Sequence, residues 1–522
     1  MASRDVAPLV NGASLEENVR AVKTTRGCAG VVAGLTCDSH SGEGRTHDAG
    51  EMRTSFVVAA AVLAMTLLSL GADRAPSTNP PAPSPRPGAA NTGGVAEPAA
   101  LRIVGDWQVE VATVRPAGQP GVPARVMTAR IEVAPPTIAV VTFERYASLP
   151  VFIPNAGGWL KGARLRGLLA QECTTAYLLD PASLQLRAES DPAALVFENG
   201  KDYAADLVWG TVGRLADGRI APDQPVFASY VHAQLRLDTI VLTRRGQLVL
   251  RQGEPRPAAP LPPTGEEGDR PLANIWLSGR LSQLGPDNLF PILESAYPEP
   301  VPVQPSAAER FLPKSLQKLR DGQPLRLLAW GDSVTEGSYV PETARWQSQF
   351  VGRLRARFPQ AKVELLTEAW GGRNTASYLA EPPGSAHNYA EKVLGAKPDL
   401  IVSEFVNDAG LSPQQVEERY NRLRQDFTQA GAEWIILTPH YVRPDWMGLP
   451  RERDIDEDPR PYVAGLRQFA ARHGIALADA SLRYGRLWRQ GLPYTTLMLN
   501  SINHPDARGL GLFADSLLAL FP

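Results

Sequence analysis

Apolar residues follow two different rhythms along this chain. Between residues 101 and 300 they come in short runs with period-two alternation and many β-branched members: WQVEVATV, ARIEVA, TIAVVTF, ASYVHAQLRLDTIVLT and QLVLRQG. Turn-forming pairs such as Asp217-Gly218 and Arg245-Gly246 separate them, and the combination predicts a β-sandwich-like domain. From residue 306 to 522 strands and helices alternate. LRLLAW, KVELLTEA, DLIVSEF, EWIILT and IALADA read as buried strands. Trp346, Phe350, Leu354 and Phe358 line one face of a helix between the first two. Ser412-Pro413-Gln414-Gln415 supplies a cap, a first-turn proline and a capping glutamine for a helix running to about Ala430. Helices over YVAGLRQFAARH and DARGLGLFADSLLALF complete a parallel sheet covered on both faces.

Composition adds boundaries to this pattern. At 522 residues the chain is long enough for two or three domains, and YPEPVPVQP, residues 297 to 305, marks the boundary between the two rhythms. Residues 73 to 100 are rich in proline, alanine and glycine and read as a linker. Residues 52 to 72, MRTSFVVAAAVLAMTLLSLGA, have the layout of a signal peptide. Their apolar run is shorter than the roughly 20 residues of a membrane span. The expected start is therefore Met52, with residues 1 to 51 an upstream mistranslation or disordered. Export to the periplasm, cell surface or medium follows, with no stable membrane span after cleavage.

A net charge of -2 favours neither nucleic acid nor an anionic membrane as partner. The cysteines, Cys28, Cys37 and Cys173, make no metal-ligand spacing and no disulfide framework.

Strand ends of a parallel sheet open on one crevice, and polar residues gather just past the predicted ends. Ser333 follows the first strand in LRLLAWGDSVTEGSY, and Gly371-Gly372-Arg373-Asn374 follows the second in EAWGGRNTASYL. Asn407-Asp408 follows the third in SEFVNDAG, His440 the fourth in LTPHYV, and His504 precedes the last helix in NSINHPDARG. Gly-Asp-Ser is by composition an ordinary turn. A hydroxyl, a glycine loop, an amide and a histidine meeting in one crevice are nevertheless the nucleophile, oxyanion donors and general base of acyl transfer.

Four blocks in order, GDSVTEG, WGGRNT, EFVND and NHPDARG, resemble the catalytic domain of SGNH (GDSL) hydrolases over residues 306 to 522. The resemblance implies a flavodoxin-like three-layer α/β/α domain and a serine esterase working through an acyl-enzyme, with no metal or organic cofactor. It implies Ser333 as nucleophile, His504 as general base, and Gly372, Asn407 and the Ser333 N–H as oxyanion hole. A Gly-x-Ser-x-Gly elbow is absent and the serine stands at the start of the domain, unlike the α/β-hydrolases. The family's usual aspartate three residues before the histidine is Ser501 here, preceded by Asn500. A Ser-His dyad with the ring held by a backbone carbonyl near Ser501 is the expectation. An acid from elsewhere is the other option, Asp479 and Asp506 being the candidates.

His440 and Arg373 are candidate substrate contacts. The EFVND block and the lack of a long apolar lid resemble the family's carbohydrate acetylesterases, so a short acyl ester, small or on a polysaccharide, is the expected substrate. The alternative is a catalytically inactive surface or polysaccharide-binding protein. Asp332 is expected to bind backbone amides, and RERDIDEDPR, residues 451 to 460, to be a solvated loop. The β-rich domain resembles appended modules of exported enzymes and reads as a spacer or attachment module.

Overall fold

The computed structural model describes residues 98–115 and 125–522, all within one compact unit. The expected signal peptide, the upstream segment, Cys28, Cys37 and nearly all of the linker lie outside the described residues. No helix among those described is long and apolar enough to cross a membrane.

The α/β region is built on a five-stranded parallel sheet, whose strands alone are labelled here. They are β1 (Pro324–Gly331), β2 (Lys362–Ala369), β3 (Leu400–Glu404), β4 (Glu433–Leu437) and β5 (Ala476–Ala478), in the spatial order β2-β1-β3-β4-β5. Both faces of β1 are buried, which explains its unbroken apolar run. Leu325, Leu327 and Ala329 enter one core cluster, and Leu328 and Trp330 enter the other on the opposite face. Trp330 is fully buried, with Phe405 edge-on to its ring at 4.8 Å; such pairs contribute about 0.5–1.5 kcal/mol beyond burial.

The helices form as their patterns require. Trp346–Arg357 buries Trp346, Phe350 and Leu354, while Phe358 sits at its C-terminal cap. Pro413–Gln429 opens on the expected capping box, Gln415 N–H donating to Ser412 Oγ at 3.3 Å and Ser412 N–H to Gln415 Oε1 at 2.9 Å. AEKVL forms a single wide turn, Ala390–Leu394. In the topology 2-1-3-4-5 the strand order reverses between β1 and β3, and the crevice at that switch point is where ligands of such sheets bind.

The β-rich region forms four small antiparallel sheets. Two of them face each other as a sandwich, burying Val109, Val111 and Ile131 against Ile240, Leu242 and Ile275. The long run ASYVHAQLRLDTIVLT is two strands, Val226–Ala233 and Arg236–Leu242, that belong to different sheets.

The segment 451–460 corrects the sequence reading in part: Arg451, Asp454, Glu457 and Pro459 are exposed as expected, while the other residues are packed. Glu452 is half-buried and accepts from Trp276 Nε1 at 3.1 Å and Thr495 Oγ1 at 2.6 Å. Asp458 and Arg460 form a buried ion pair whose guanidinium also donates to the His440 carbonyl. Opposite charges two residues apart look solvated in a sequence, yet they satisfy one another and so tolerate burial. Trp488 of the α/β region enters the same core cluster as Leu235 and Trp276 of the β-rich region. The two regions therefore share a hydrophobic interior.

Candidate active site

Each residue of GDSVTEG has a local reason. At Gly331 a Cβ would be driven into Thr335 Oγ1 and the Glu404 carbonyl, and would stand 2.7 Å from Thr335 Cβ, so β1 and β3 can close only over glycine. Asp332 caps the short helix Ser333–Glu336, its Oδ1 accepting from Val334 N–H at 3.1 Å. Gly337 ends that turn in the left-handed region at φ +56, returning its N–H to the Ser333 carbonyl at 2.9 Å. Ser333 thereby begins a helical turn at the mouth of the crevice, half-buried.

Asp332 joins this turn to the next block. Its Oδ2 accepts from the main-chain N–H of Asn407 at 2.9 Å and from Asn407 Nδ2 at 3.0 Å. The carboxyl of Glu404 lies beside it, also fully buried. Burial raises the pKa of Asp332 to about 7 and that of Glu404 well above the usual carboxylate range. Asp332 has three N–H donors, whereas Glu404 accepts only from Thr335 Oγ1 at 3.3 Å. Asp332 is thus the member that holds the charge and Glu404 the one that holds the proton. The glycine loop closes the other side: Trp370 N–H donates to the Gly331 carbonyl at 3.1 Å. A Cβ on Gly371 would stand 3.7 Å from Ser333 Cβ, and Gly372 adopts φ +72 with open space where a side chain would go.

His504 comes to Ser333 from the far end of the chain, with Nε2 3.1 Å from Ser333 Oγ. Its loop is shaped by Asn500, whose Oδ1 accepts from the N–H groups of Ile502, Asn503 and His504 at 3.0, 2.8 and 2.9 Å. The Tyr339 ring stacks flat on the imidazole at 4.3 Å. Burial lowers the His504 pKa, partly offset by the charge of Glu172. The imidazole is therefore neutral near pH 7 and able to accept the serine proton.

The expected backbone partner of Nδ1 is replaced by two side chains of the β-rich region. Nδ1 lies 2.8 Å from Gln171 Oε1 and 3.2 Å from Glu172 Oε1. Neither acid named from the sequence is near: Asp506 caps the last helix and pairs with Arg508, and Asp479 pairs with Arg467. Ser501 instead meets Thr175, Oγ to Oγ1 at 2.8 Å. Gln171, Glu172 and Tyr339 carried no signal in the sequence, since nothing local to them marks a site. Only folding brings Gln171 to a residue 333 positions away.

His440 is corrected as a substrate contact. It is fully buried, packed at 5.7 and 5.8 Å from the rings of Tyr484 and Phe513, and burial pushes its pKa well below the ordinary imidazole value. Arg373 is exposed, with its guanidinium 4.9 Å over the Trp370 ring. No group of three or more potential ligands able to hold a metal ion occurs among the described residues.

Residues 329–511 match the GDSL-like lipase/acylhydrolase family. Solved structures similar to this chain include a mutant of an acetyl-xylooligosaccharide esterase from Geobacillus Stearmophilus, 18% identical, covering 38% of this chain and 93% of that one, with a TM-score of 0.31. A two-domain esterase active on acetylated mannans is 18% identical, with 41% and 53% covered and a TM-score of 0.33. TesA is 20% identical, with 37% and 97% covered and a TM-score of 0.29. No curated protein matches the chain. The GDSL-like segment contains Ser333, Gly372, Asn407 and His504, whereas Gln171 and Glu172 lie outside it.

Proposed function

We propose that the protein is an exported serine esterase that hydrolyses short acyl esters, acetyl by preference, including those on polysaccharides. One observation carries this reading: Ser333 Oγ at 3.1 Å from the Nε2 of a neutral, buried His504, beside the glycine loop and Asn407.

In the reaction His504 Nε2 takes the hydroxyl proton as Ser333 Oγ bonds to the ester carbonyl carbon. The negative charge moves to the carbonyl oxygen, where the N–H groups of Ser333 and Gly372 and the Asn407 amide receive it. The imidazolium then gives its proton to the leaving alcohol, and water repeats the sequence on the acyl-enzyme. Polar surroundings favour a small acyl group. Glu336 Oε2 lies 2.8 Å from the place of a Gly371 Cβ, and a long alkyl chain packed there would be buried against a carboxylate.

Hydrolysis of p-nitrophenyl acetate, butyrate and octanoate by the wild type, Ser333→Ala and His504→Ala tests this. Fastest turnover of acetate, lost in both variants, is expected. Equal residual activity in all three proteins would leave the binding-protein alternative. Export is checked separately by N-terminal mass spectrometry of the protein recovered outside the cytoplasm.

A further inference from the structure

We infer that Glu172, together with Gln171, supplies from the β-rich region the imidazole-orienting third member that the GDSL-like segment lacks at Ser501. The inference rests on the esterase reading of Ser333 and His504.

The dipeptide is held against the histidine loop along its length. Gln171 N–H donates to the Leu499 carbonyl at 3.1 Å, and Cys173 Sγ to the Asn500 carbonyl at 2.9 Å. Asn500 Nδ2 donates to Glu172 Oε1 at 3.2 Å, and Thr175 Oγ1 reaches Ser501 Oγ. Residues 171–175 and 499–501 are thus clasped at four successive points, and His504 Nδ1 lies where Gln171 Oε1 and Glu172 Oε1 converge.

The two side chains do different work. A carboxamide can turn either its oxygen or its NH2 to a ring nitrogen, so Gln171 alone leaves the tautomer open. A carboxylate only accepts. Gln171 Oε1 takes the hydrogen bond of Nδ1, and the Glu172 charge at ion-pair distance favours the tautomer with the proton on Nδ1 and the Nε2 lone pair facing Ser333. It also places a negative charge next to the imidazolium that forms during attack. Glu172 acts through His504 and is a positioning residue.

Its side chain is 45% exposed, and Gln171 remains as an acceptor without it. The loss on neutralisation is therefore smaller than the ~10⁴-fold of a buried triad aspartate, on the order of 10- to 100-fold. The consequence for architecture is that the β-rich region completes the active site.

The test measures covalent labelling of Ser333 by a fluorophosphonate in the full chain, with the saturating rate and the half-saturating concentration determined separately between pH 5 and 9. Four proteins are compared: wild type, Ser333→Ala, Glu172→Gln and the exchange Gln171→Glu/Glu172→Gln. Glu172→Gln is expected to lower the saturating rate 10- to 100-fold at unchanged half-saturation, and to move the acidic limb to lower pH because the imidazolium loses its neighbouring charge. The exchange, which returns a carboxylate to Nδ1, is expected to recover most of the rate. A misfolded variant would not be rescued in this way. The other ionisable neighbours, Tyr339 on the ring face and the neutral His440, are the same in all four. Wild-type labelling with Glu172→Gln indistinguishable in rate and pH profile would overturn this inference alone. Lack of Ser333 labelling in the wild type would overturn the esterase reading and this inference with it.

Discussion

Asp332→Asn turns one buried oxygen into an NH2 group beneath the serine. The carboxylate accepts three hydrogen bonds, two on Oδ2 from Asn407 and one on Oδ1 from Val334. A carboxamide oxygen can serve only one side. If it serves Asn407, the Val334 N–H faces another N–H; if it serves Val334, both Asn407 donors are stranded. Hydrogen bonds to a charged group contribute about 1.5–3 kcal/mol each, and stranding a buried donor adds its desolvation. A neutral side chain is less costly to bury, which offsets about one bond.

The net destabilisation is on the order of 2–4 kcal/mol, or roughly 5–15 °C in Tm at ~2–4 °C per kcal/mol. Release of the Asn407 side chain removes the proposed oxyanion donor as well, worth about 10²-fold in kcat. Thermal melting and kcat on p-nitrophenyl acetate are measured together, with Asn407→Ala as the reference for the second effect. An unchanged Tm with kcat within twofold of wild type would refute the view that Asp332 holds the Asn407 loop.

Three further outcomes are expected. Gly331→Ala should cost about 3 kcal/mol or more and lower activity steeply, because the new methyl group meets the Glu404 carbonyl, which cannot rotate away; a melting curve overlying the wild type would contradict the close approach of β1 and β3. The contribution of His440 and His504 to stability should fall as pH drops below about 6.5, since unfolded imidazoles take up protons there while the folded ones, with lowered pKa values, do not; the raised carboxyls of Asp332 and Glu404 act in the opposite sense, so the histidine effect is read as a difference between variants. His440→Leu should lose less stability between pH 7 and 5 than the wild type, and parallel curves would count against it. Burial pushes the Cys173 thiol up to about 12, so iodoacetamide at pH 8 should leave Cys173 unmodified in the native protein and alkylate it in denaturant, as peptide mapping reads; modification under native conditions would show the clasp at Asn500 to be open.

Much of the α/β region was legible because its signals are local. A strand buried on both faces must be continuously apolar, as in LRLLAW, and a capping box needs only four adjacent residues, as at Ser412 to Gln415. The serine turn was legible for the same reason: Gly331, Asp332 and Gly337 each answer a constraint within a few residues of Ser333. Parallel strands with helical crossovers also force their ends into one crevice, so the sequence alone groups Ser333, the glycine loop and Asn407.

What the sequence could not determine depends on which distant surfaces meet. RERDIDEDPR has the charge of a solvated loop, but its carboxylates find Thr495 and Arg489 of the α/β region and Trp276 of the β-rich region only once the chain has folded. His440 stands past a strand end like its neighbours, but Tyr484 and Phe513 cover it. The partner of His504 Nδ1 is the sharpest case. Composition and motif could show that Ser501 is not an acid, but no local pattern could nominate Gln171 and Glu172. Their meeting with the imidazole is made by hydrogen bonds between two loops more than 300 residues apart in the chain. Short-range chemistry is written in neighbouring residues, whereas contacts of this range exist only once the hydrophobic interior shared by the two regions has closed around them.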